Sequence, residues 1–343
     1  MKAIRYLLFP FAVLYNGVTR IRNTMYDWGL LSSQKFDIPV IAVGNLSVGG
    51  TGKTPQIEYL IRLLKSKSVA TLSRGYKRKT SGFILVNDRH TSEDVGDEPL
   101  QYHKKFSNIS VAVDADRAHG IQELQRRINP EVILLDDAFQ HRKVEAGLYI
   151  LLTKYDDLFS TDFLLPTGNL REGRRGARRA DIIIVTKCPQ QLSSTEKKKI
   201  KNTLCKSSSQ FIFFTSIFYR DQIRGSQEIS LSELKRYEIC LVTGIANPKP
   251  LLNFLNEHAI KVVHLNFPDH HEFTRKEISH INQQFNQLSS SKKLLLTTRW
   301  LSQVQTISAL EALRWWFARV CLLNGATQPI LASILLQEGL CMC

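Results

Sequence analysis

Gly44-Asn45-Leu46-Ser47-Val48-Gly49-Gly50-Thr51-Gly52-Lys53-Thr54-Pro55 follows an apolar, β-branched run from Ile38 to Val43 that reads as a buried parallel strand. A helical pattern opens after it at Pro55, a residue favoured at the first helical position. Strand, glycine-rich loop and helix in this order form a cradle for phosphate. Gly49, Gly50 and Gly52 let backbone N–H groups close on anionic oxygens, and the helix N-terminus adds positive potential. Lys53 then reaches the β- and γ-phosphates of a bound nucleotide, and the Thr54 hydroxyl ligates Mg²⁺. The match to G-x-x-x-x-G-K-[ST] is imperfect, because Ser47 stands where the first Gly belongs. An ordinary glycine-rich strand-to-helix turn would have no need of Lys-Thr at its end.

Outward from this loop, residues 38–186 alternate strand-like and helical patterns. Val69–Leu72, Phe83–Val86, Ile109–Val113, Val132–Leu135, Tyr149–Leu152 and Ile182–Val185 are the strands, with helices such as Gln56–Lys65 and Ala118–Arg127 between them. This is the α/β pattern of a mainly parallel sheet, whose ligands bind at the carboxyl ends of its strands. A polar, Lys/Ser-rich stretch from Ser193 to Ser209 marks a boundary. Beyond it, Phe211–Phe214, Ile239–Val242, Val262–Leu265 and Leu294–Leu296 read as strands of a smaller α/β lobe, with a helical pattern over Lys249–His258. The expected organisation is an N-terminal helix over 1–30, a P-loop NTPase-like core over 31–192, a smaller lobe over 210–298 and an atypical tail over 299–343.

The chain has 343 residues, 43% of them hydrophobic, which is the composition of a folded protein rather than a disordered one. Its net charge of +15 points to an acidic partner: nucleic acid, an anionic membrane or a phosphorylated substrate. The six cysteines show no paired metal-ligand spacing and no compact disulfide framework, which suits the cytosol. At the N-terminus, Leu7, Leu8, Phe9, Phe11, Val13, Leu14 and Tyr15 form an apolar patch flanked by Lys2, Arg5, Arg20 and Arg22. The uncharged run from Tyr6 to Thr19 is shorter than the roughly 20 residues a spanning helix needs. It reads as an interfacial helix kinked near Pro10, with a helix docked on the protein core as the alternative.

Three acidic constellations carry candidate chemistry. Glu131–Asp137 is an apolar strand ending in the pair Asp136-Asp137, where a nucleotide-binding sheet places acids that hold Mg²⁺ or its waters. Gln140, His141 and Arg142 follow and project into the same cleft. Gly96-Asp97-Glu98-Pro99 supplies a carboxylate able to orient a hydroxyl and accept its proton, or else an ordinary helix cap. Asp269-His270-His271 offers an acid/base pair, but adjacent histidines do not face one metal as an i, i+4 pair does. Arg171, Arg174, Arg175, Arg178 and Arg179 would line one helix face suited to phosphate or anionic lipid; a solvated basic loop is the alternative. Nucleic acid fits less well, since no aromatic residues interleave with these arginines.

Together these segments resemble the tetraacyldisaccharide 4′-kinase family of Gram-negative bacteria, from about Tyr6 to Thr298. The resemblance rests on GNLSVGGTGKTP (44–55), SRGYKRK (73–79), VGDEP (95–99), LDDAFQH (135–141), LPTGNLRE (165–172), RADIIIVTK (179–187), TGIANP (243–248) and FPDHHEF (267–273), in collinear order. It implies transfer of the ATP γ-phosphate to the 4′-hydroxyl of a tetraacyldisaccharide 1-phosphate, giving lipid IVA, at the cytoplasmic face of the inner membrane. It implies ATP bound by Ser47 to Thr54, with Mg²⁺ held by Thr54 and Asp136 or Asp137. Asp97 becomes the general base supported by His270, and Arg74, Glu98, Arg117, Gln140, His141, Arg171 and Glu172 line the cleft.

One departure stands out. The family continues the strand at 294–298 with Thr-Glu-Lys-Asp, whereas Thr298 is followed here by Arg299-Trp300. From Arg299 onward the chain has neither Lys nor Asp and holds half of its cysteines. A C-terminal apolar helix around Leu310–Leu323 and a shifted reading frame are the two readings of this tail.

Rival functions differ at single positions. A membrane-associated partitioning-type ATPase shares the GG-x-GKT loop but wants a lysine at 48, which is Val48. A GTPase would read guanine with Thr186-Lys187 and an acid at 189, which is Pro189. A non-enzymatic lipid-binding protein needs neither Lys53-Thr54 nor Asp136-Asp137.

Overall fold

The structure is a computed structural model that describes residues 5–205, 207–219, 222–224, 228–245, 247–268, 271, 273–298, 312–314 and 319–322. Two compact units divide the chain, Met1–Ile217 with Val320–Cys343, and Phe218–Arg319.

The first unit is built on a nine-stranded sheet. From one edge its order is Ile84–Leu85, Ile109–Val113, Val69–Ser73, Val132–Asp136, Val40–Asn45, Leu148–Lys154, Ile182–Cys188, Phe211–Phe218 and Arg319–Leu322. The pairings from Ile109–Val113 through Phe211–Phe218 are parallel, and Ile84–Leu85 joins antiparallel at one edge. The central strand Val40–Asn45, Val69–Ser73 and Val132–Asp136 are buried at every residue. That is why they read as continuous apolar runs rather than alternating ones. Apolar side chains cover both faces of the sheet, Ile57, Leu60 and Tyr102 in one cluster and Ile121 and Leu124 in another. Of the helices that supply them, Lys53–Leu63 and Arg117–Arg127 each follow a parallel strand, so their strand-to-helix loops lie at the carboxyl end of the sheet, while Asp97–Lys105 follows the short helix Ser92–Val95.

Several boundaries differ from the sequence reading. The phosphate-loop helix starts at Lys53 rather than Pro55, because Gly52 adopts φ 91° and caps it in a left-handed conformation. The polar stretch from Ser193 is not a boundary. Ser193 and Glu196 form a reciprocal capping box that starts the helix Ser194–Leu204, and Ile200 and Leu204 pack into the core. Phe211–Phe218 then pairs in parallel with Ile182–Cys188, so this strand belongs to the first sheet and not to the smaller lobe. The basic cluster forms a six-residue 3₁₀ helix, Arg174–Arg179, so the arginines do not share the single α-helical face expected of them.

The N-terminal helix runs from Phe9 to Asp27, well past the uncharged run. Pro10 sits in its first turn, where a missing N–H costs nothing. One face meets the core: Ala12 is buried, Tyr15 Oη donates to Arg171 O at 2.7 Å and Asn23 Nδ2 donates to Glu172 Oε2 at 2.9 Å. The opposite face exposes Phe11, Leu14, Val18 and Ile21, spaced i, i+3, i+7, i+10. The docked reading thus describes one side of this helix, and its other side is apolar and exposed. Among the described residues, no helix is long and apolar enough to cross a membrane.

The second unit holds a six-stranded sheet ordered Glu228–Ser230, Gln222–Arg224, Ala312–Arg314, Lys293–Thr297, Glu238–Thr243 and Val262–Asn266. Leu251 and Leu255 of the helix Lys249–Glu257 cover one face of it, and Ile281 and Phe285 of Arg275–Asn286 cover the other. Where a C-terminal helix was one expectation, the described parts of the tail, Ala312–Arg314 and Arg319–Leu322, are strands.

Candidate active site

The loop after Val40–Asn45 is pinned from both sides. Val48 N donates to Asn169 O at 2.8 Å and Arg171 N to Leu46 O at 2.7 Å, and Ser47 bridges Leu170. Ser47 and Thr51 are therefore buried parts of the loop's wall, while Val48 to Gly50 line its partly open side. A Cβ at Gly50 would meet no atom within 4 Å, and one at Gly49 only Lys154 Nζ at 3.9 Å. Both glycines thus face open space at the N-terminus of an 11-residue helix, the position at which the sequence expects a phosphate cradle.

Lys53 Nζ lies 3.5 Å from Asp137 Oδ1 and donates to Asn45 Oδ1 at 3.3 Å. Arg171 Nη1 reaches both carboxylate oxygens of Asp137 at 2.9 Å. Burial pushes the Asp137 carboxyl up, but Lys53 and Arg171 outweigh it and hold the group below the ordinary carboxylate range. Asp137 has φ 49°, an uncommon conformation outside glycine, and the turn it makes separates its side chain from that of Asp136.

Asp136 behaves in the opposite way. It is 1% exposed, Tyr102 Oη donates to its Oδ2 at 3.0 Å, and Oδ1 is buried without a partner. Burial, then the nearby Glu98 charge, raise its pKa to about 7 against the pull of Lys53. Glu98 Oε1 in turn accepts from Thr54 Oγ1 at 3.1 Å. Thr54, Glu98 and Asp136 thus supply hard oxygen donors, one of them unpartnered, and this chemistry fits Mg²⁺. Among the described residues no three His, Cys, Asp or Glu side chains form a metal cage. Mg²⁺ does not require one, since it is usually held by one or two carboxylates with waters and phosphate.

Asp97 is the first residue of the helix Asp97–Lys105, with Gly96 as its cap, so the residue does not itself cap the helix. It stands beside Glu98 and hence near Thr54. Gly96 has φ 90°, and a Cβ there would lie 3.1 Å from Tyr76 O and 3.2 Å from Gly75 Cα. The SRGYKRK and VGDEP segments touch at this glycine pair, which brings the backbones of exposed Arg74 and half-buried Asp97 near each other.

Arg117 is buried, with Nη1 on Asp114 O at 3.0 Å and Nη2 on Asp136 O at 3.4 Å. Burial lowers its pKa to about 10, and it remains a cation at neutral pH. Burial and then Arg117 lower the pKa of His141 to about 4, so this imidazole is neutral at working pH. Glu172 is a hub: Oε1 accepts from Gln140 Nε2 at 3.2 Å and Arg179 Nη2 at 2.7 Å, and Oε2 from Asn23. Gln140 Nε2 also reaches Asn45 O at 2.8 Å, so the network runs from the N-terminal helix to the strand bearing the phosphate loop.

Thus Ser47 to Thr54, Glu98, Arg117, Asp136, Asp137, Gln140, His141, Arg171 and Glu172 fall around one end of the first sheet. His270 lies outside the described residues. Its neighbour His271 pairs with Glu277 at 2.9 Å in the second unit. Sequence reading missed Asn45, Tyr102 and Asn23 as partners. Tyr102 stands four residues after Glu98, on one helix face with it, and that spacing was the available signal.

The opposing shifts of Asp136 and His141 give a pH prediction. Unfolded, Asp136 ionises near 4, whereas folded it keeps its proton to about 7. The native state therefore binds the extra proton, and its stability falls as pH rises across this interval. His141 acts with the opposite sign, since its folded pKa of about 4 lies below the unfolded value. Melting curves of the nucleotide-free chain should therefore be compared with Asp136→Asn at each pH. The variant is expected to gain on the parent from pH 4 to 7, by a few kcal/mol at most on the order of 1.4 kcal/mol per pKa unit. A constant difference would show that Asp136 is ionised throughout.

The family model described as tetraacyldisaccharide-1-P 4′-kinase matches residues 4–338. Tetraacyldisaccharide 4′-kinase of Flavobacterium johnsoniae is 53% identical over 302 residues, covering 87% of each chain. The enzyme of that name from Bacteroides thetaiotaomicron is 45% identical over 305 residues, covering 85% of this chain and 80% of its own. The crystal structure of LpxK from Aquifex aeolicus in complex with ATP superposes with a TM-score of 0.77 at 31% identity, covering 98% of this chain and 99% of that one. These likenesses favour neither the partitioning ATPase nor the GTPase. With the family model matched over residues 4–338 and a relative 53% identical over 87% of each chain, the chain belongs to the tetraacyldisaccharide 4′-kinase family.

Proposed function

We infer that this chain is an ATP-dependent kinase that phosphorylates the 4′-hydroxyl of tetraacyldisaccharide 1-phosphate, forming lipid IVA. The observation that carries this reading is the phosphate loop, with Lys53 paired to Asp137 and an unpartnered Asp136 oxygen beside it. Lys53 and the N–H groups of the loop bind the phosphates, and Thr54 with Asp136 or Asp137 holds Mg²⁺. That ion supplies charge neutralisation on the transferring phosphoryl group. Arg171, fixed by its two-oxygen contact with Asp137, and the buried cation Arg117 add positive potential around the cleft. Asp97 accepts the proton of the acceptor hydroxyl, with His270 as its proposed support. Arg74, Gln140, His141 and Glu172 line the acceptor side. Little covalent chemistry falls to the protein, so positioning and charge account for the rate.

The exposed apolar face of the N-terminal helix, with Arg20 beside it, suits a surface of anionic inner-membrane lipid. Placement on the cytoplasmic side follows from the need for ATP. An acceptor that stays in the bilayer explains why a kinase carries such a face, and no nucleic acid is called for.

Transfer of labelled γ-phosphate from Mg-ATP to tetraacyldisaccharide 1-phosphate in detergent micelles tests the assignment. The parent is expected to transfer, and Asp97→Ala to lose about a hundredfold or more in rate while still binding ATP, in line with the loss of a general base. A folded parent that binds ATP but never phosphorylates this acceptor would sink the reading.

A further inference from the structure

Thr186 and Lys187, set aside above as a guanine-reading motif, have another use in the structure. Phe214 pairs with Val185 and Ser216 with Cys188, so two residues, Thr186 and Lys187, oppose the single residue Thr215. This is a β-bulge, a feature that re-aims side chains beside active sites. Lys187 takes φ 58°, a left-handed conformation that a lysine rarely adopts. Both re-aimed side chains end on the phosphate loop. Lys187 Nζ donates to Gly50 O at 2.8 Å, and Thr186 Oγ1 donates to Thr51 O at 2.8 Å.

The two carbonyls are consecutive, and a trans peptide points its N–H opposite to its C=O. Drawing Thr51 O toward the Ile182–Cys188 strand therefore turns the Gly52 N–H away from that strand, while the tether on Gly50 O fixes the tight turn in which Thr51 N donates to Gly49 O at 2.8 Å. Unfavourable backbone geometry kept at a residue whose side chain grips a functional loop points to a use beyond folding.

We propose that Lys187 is a positioning residue, whose strained bulge tethers the Gly50 carbonyl and holds the phosphate loop in the form that receives the nucleotide's phosphates. The proposal rests on the nucleotide reading of the loop. It makes the strain and the tether separable, because Gly and Asn adopt positive φ more readily than Lys and lack the amine.

ATP dissociation constants and melting temperatures would be measured on the full chain and on Lys187→Gly, Lys187→Asn and Lys187→Arg. Lys187→Gly and Lys187→Asn are expected to bind ATP about tenfold more weakly, the order expected for a lost charged hydrogen bond. Their melting temperatures should match or exceed the parent's, and the KM for the lipid acceptor should stay unchanged. Lys187→Arg, which keeps a cationic donor, is expected to recover most of the affinity. Parent-like ATP binding in both Gly and Asn variants would overturn the tether while leaving the nucleotide site intact. Equal losses of stability and affinity in both would assign Lys187 to folding and overturn it as well. Failure of the parent itself to bind ATP would overturn the nucleotide reading and the tether together.

Discussion

Lys53→Ala is expected to reduce γ-phosphate transfer by about a hundred- to a thousandfold, the usual loss when one preorganised charge at a reacting centre is removed. The Lys53 side chain is 12% exposed and lies between Asn45 and Asp137, so no other conformation of a neighbour replaces it easily. Asp137 keeps Arg171 in the variant, and the fold should survive. Asp136 fares worse, because Lys53 is the cation that opposes the rise in its pKa. The acid proposed to hold the metal then becomes harder to ionise, and the requirement for Mg²⁺ should rise along with the loss in rate. Initial rates at saturating acceptor, with Mg²⁺ titrated, measure both effects. A variant with parental rate and Mg²⁺ dependence would remove Lys53 from the site.

The second large effect concerns the surface rather than the chemistry. Phe11, Leu14 and Val18 are 62%, 69% and 60% exposed on one face of the N-terminal helix. Each such side chain contributes about 1.5–3 kcal/mol when buried in an apolar phase. Replacing all three by Glu removes at least about 4.5 kcal/mol, which is more than a thousandfold in vesicle partition. Like charge with anionic lipid adds to the loss. Co-sedimentation with vesicles of anionic phospholipid reads it directly. The opposite face, with Ala12 buried and Asn23 on Glu172, is untouched, so ATP binding should persist. Undiminished sedimentation of the triple variant would show that this face meets something other than lipid.

The phosphate loop, its strand and its helix were legible because their physics is local. Glycines at fixed spacing, a β-branched run before them and Lys-Thr after them need no distant partner to be recognised. The same holds for the buried parallel strands, whose apolar runs state that both faces are covered. Boundaries fared less well where composition misled. The stretch from Ser193 looked like a linker by its lysines, yet a capping box and two apolar positions make it a helix. Phe211–Phe218 looked like the start of a second lobe, and only its pairing with Ile182–Cys188 assigns it to the first sheet.

The candidate site divides along the same line. The sequence by itself determined the phosphate cradle, the pair Asp136-Asp137 and the turn bearing Asp97, since each is carried by a short contiguous motif. Only the tertiary structure decided that the two adjacent acids differ, one buried against Tyr102 and the other held by Lys53 and Arg171. It alone decided that Glu172 joins the N-terminal helix to Gln140, and that Lys187 grips the loop. Those contacts span from 32 to 149 residues of chain. Charge state and hydrogen-bond geometry depend on burial and on neighbours in space, which a linear motif does not contain.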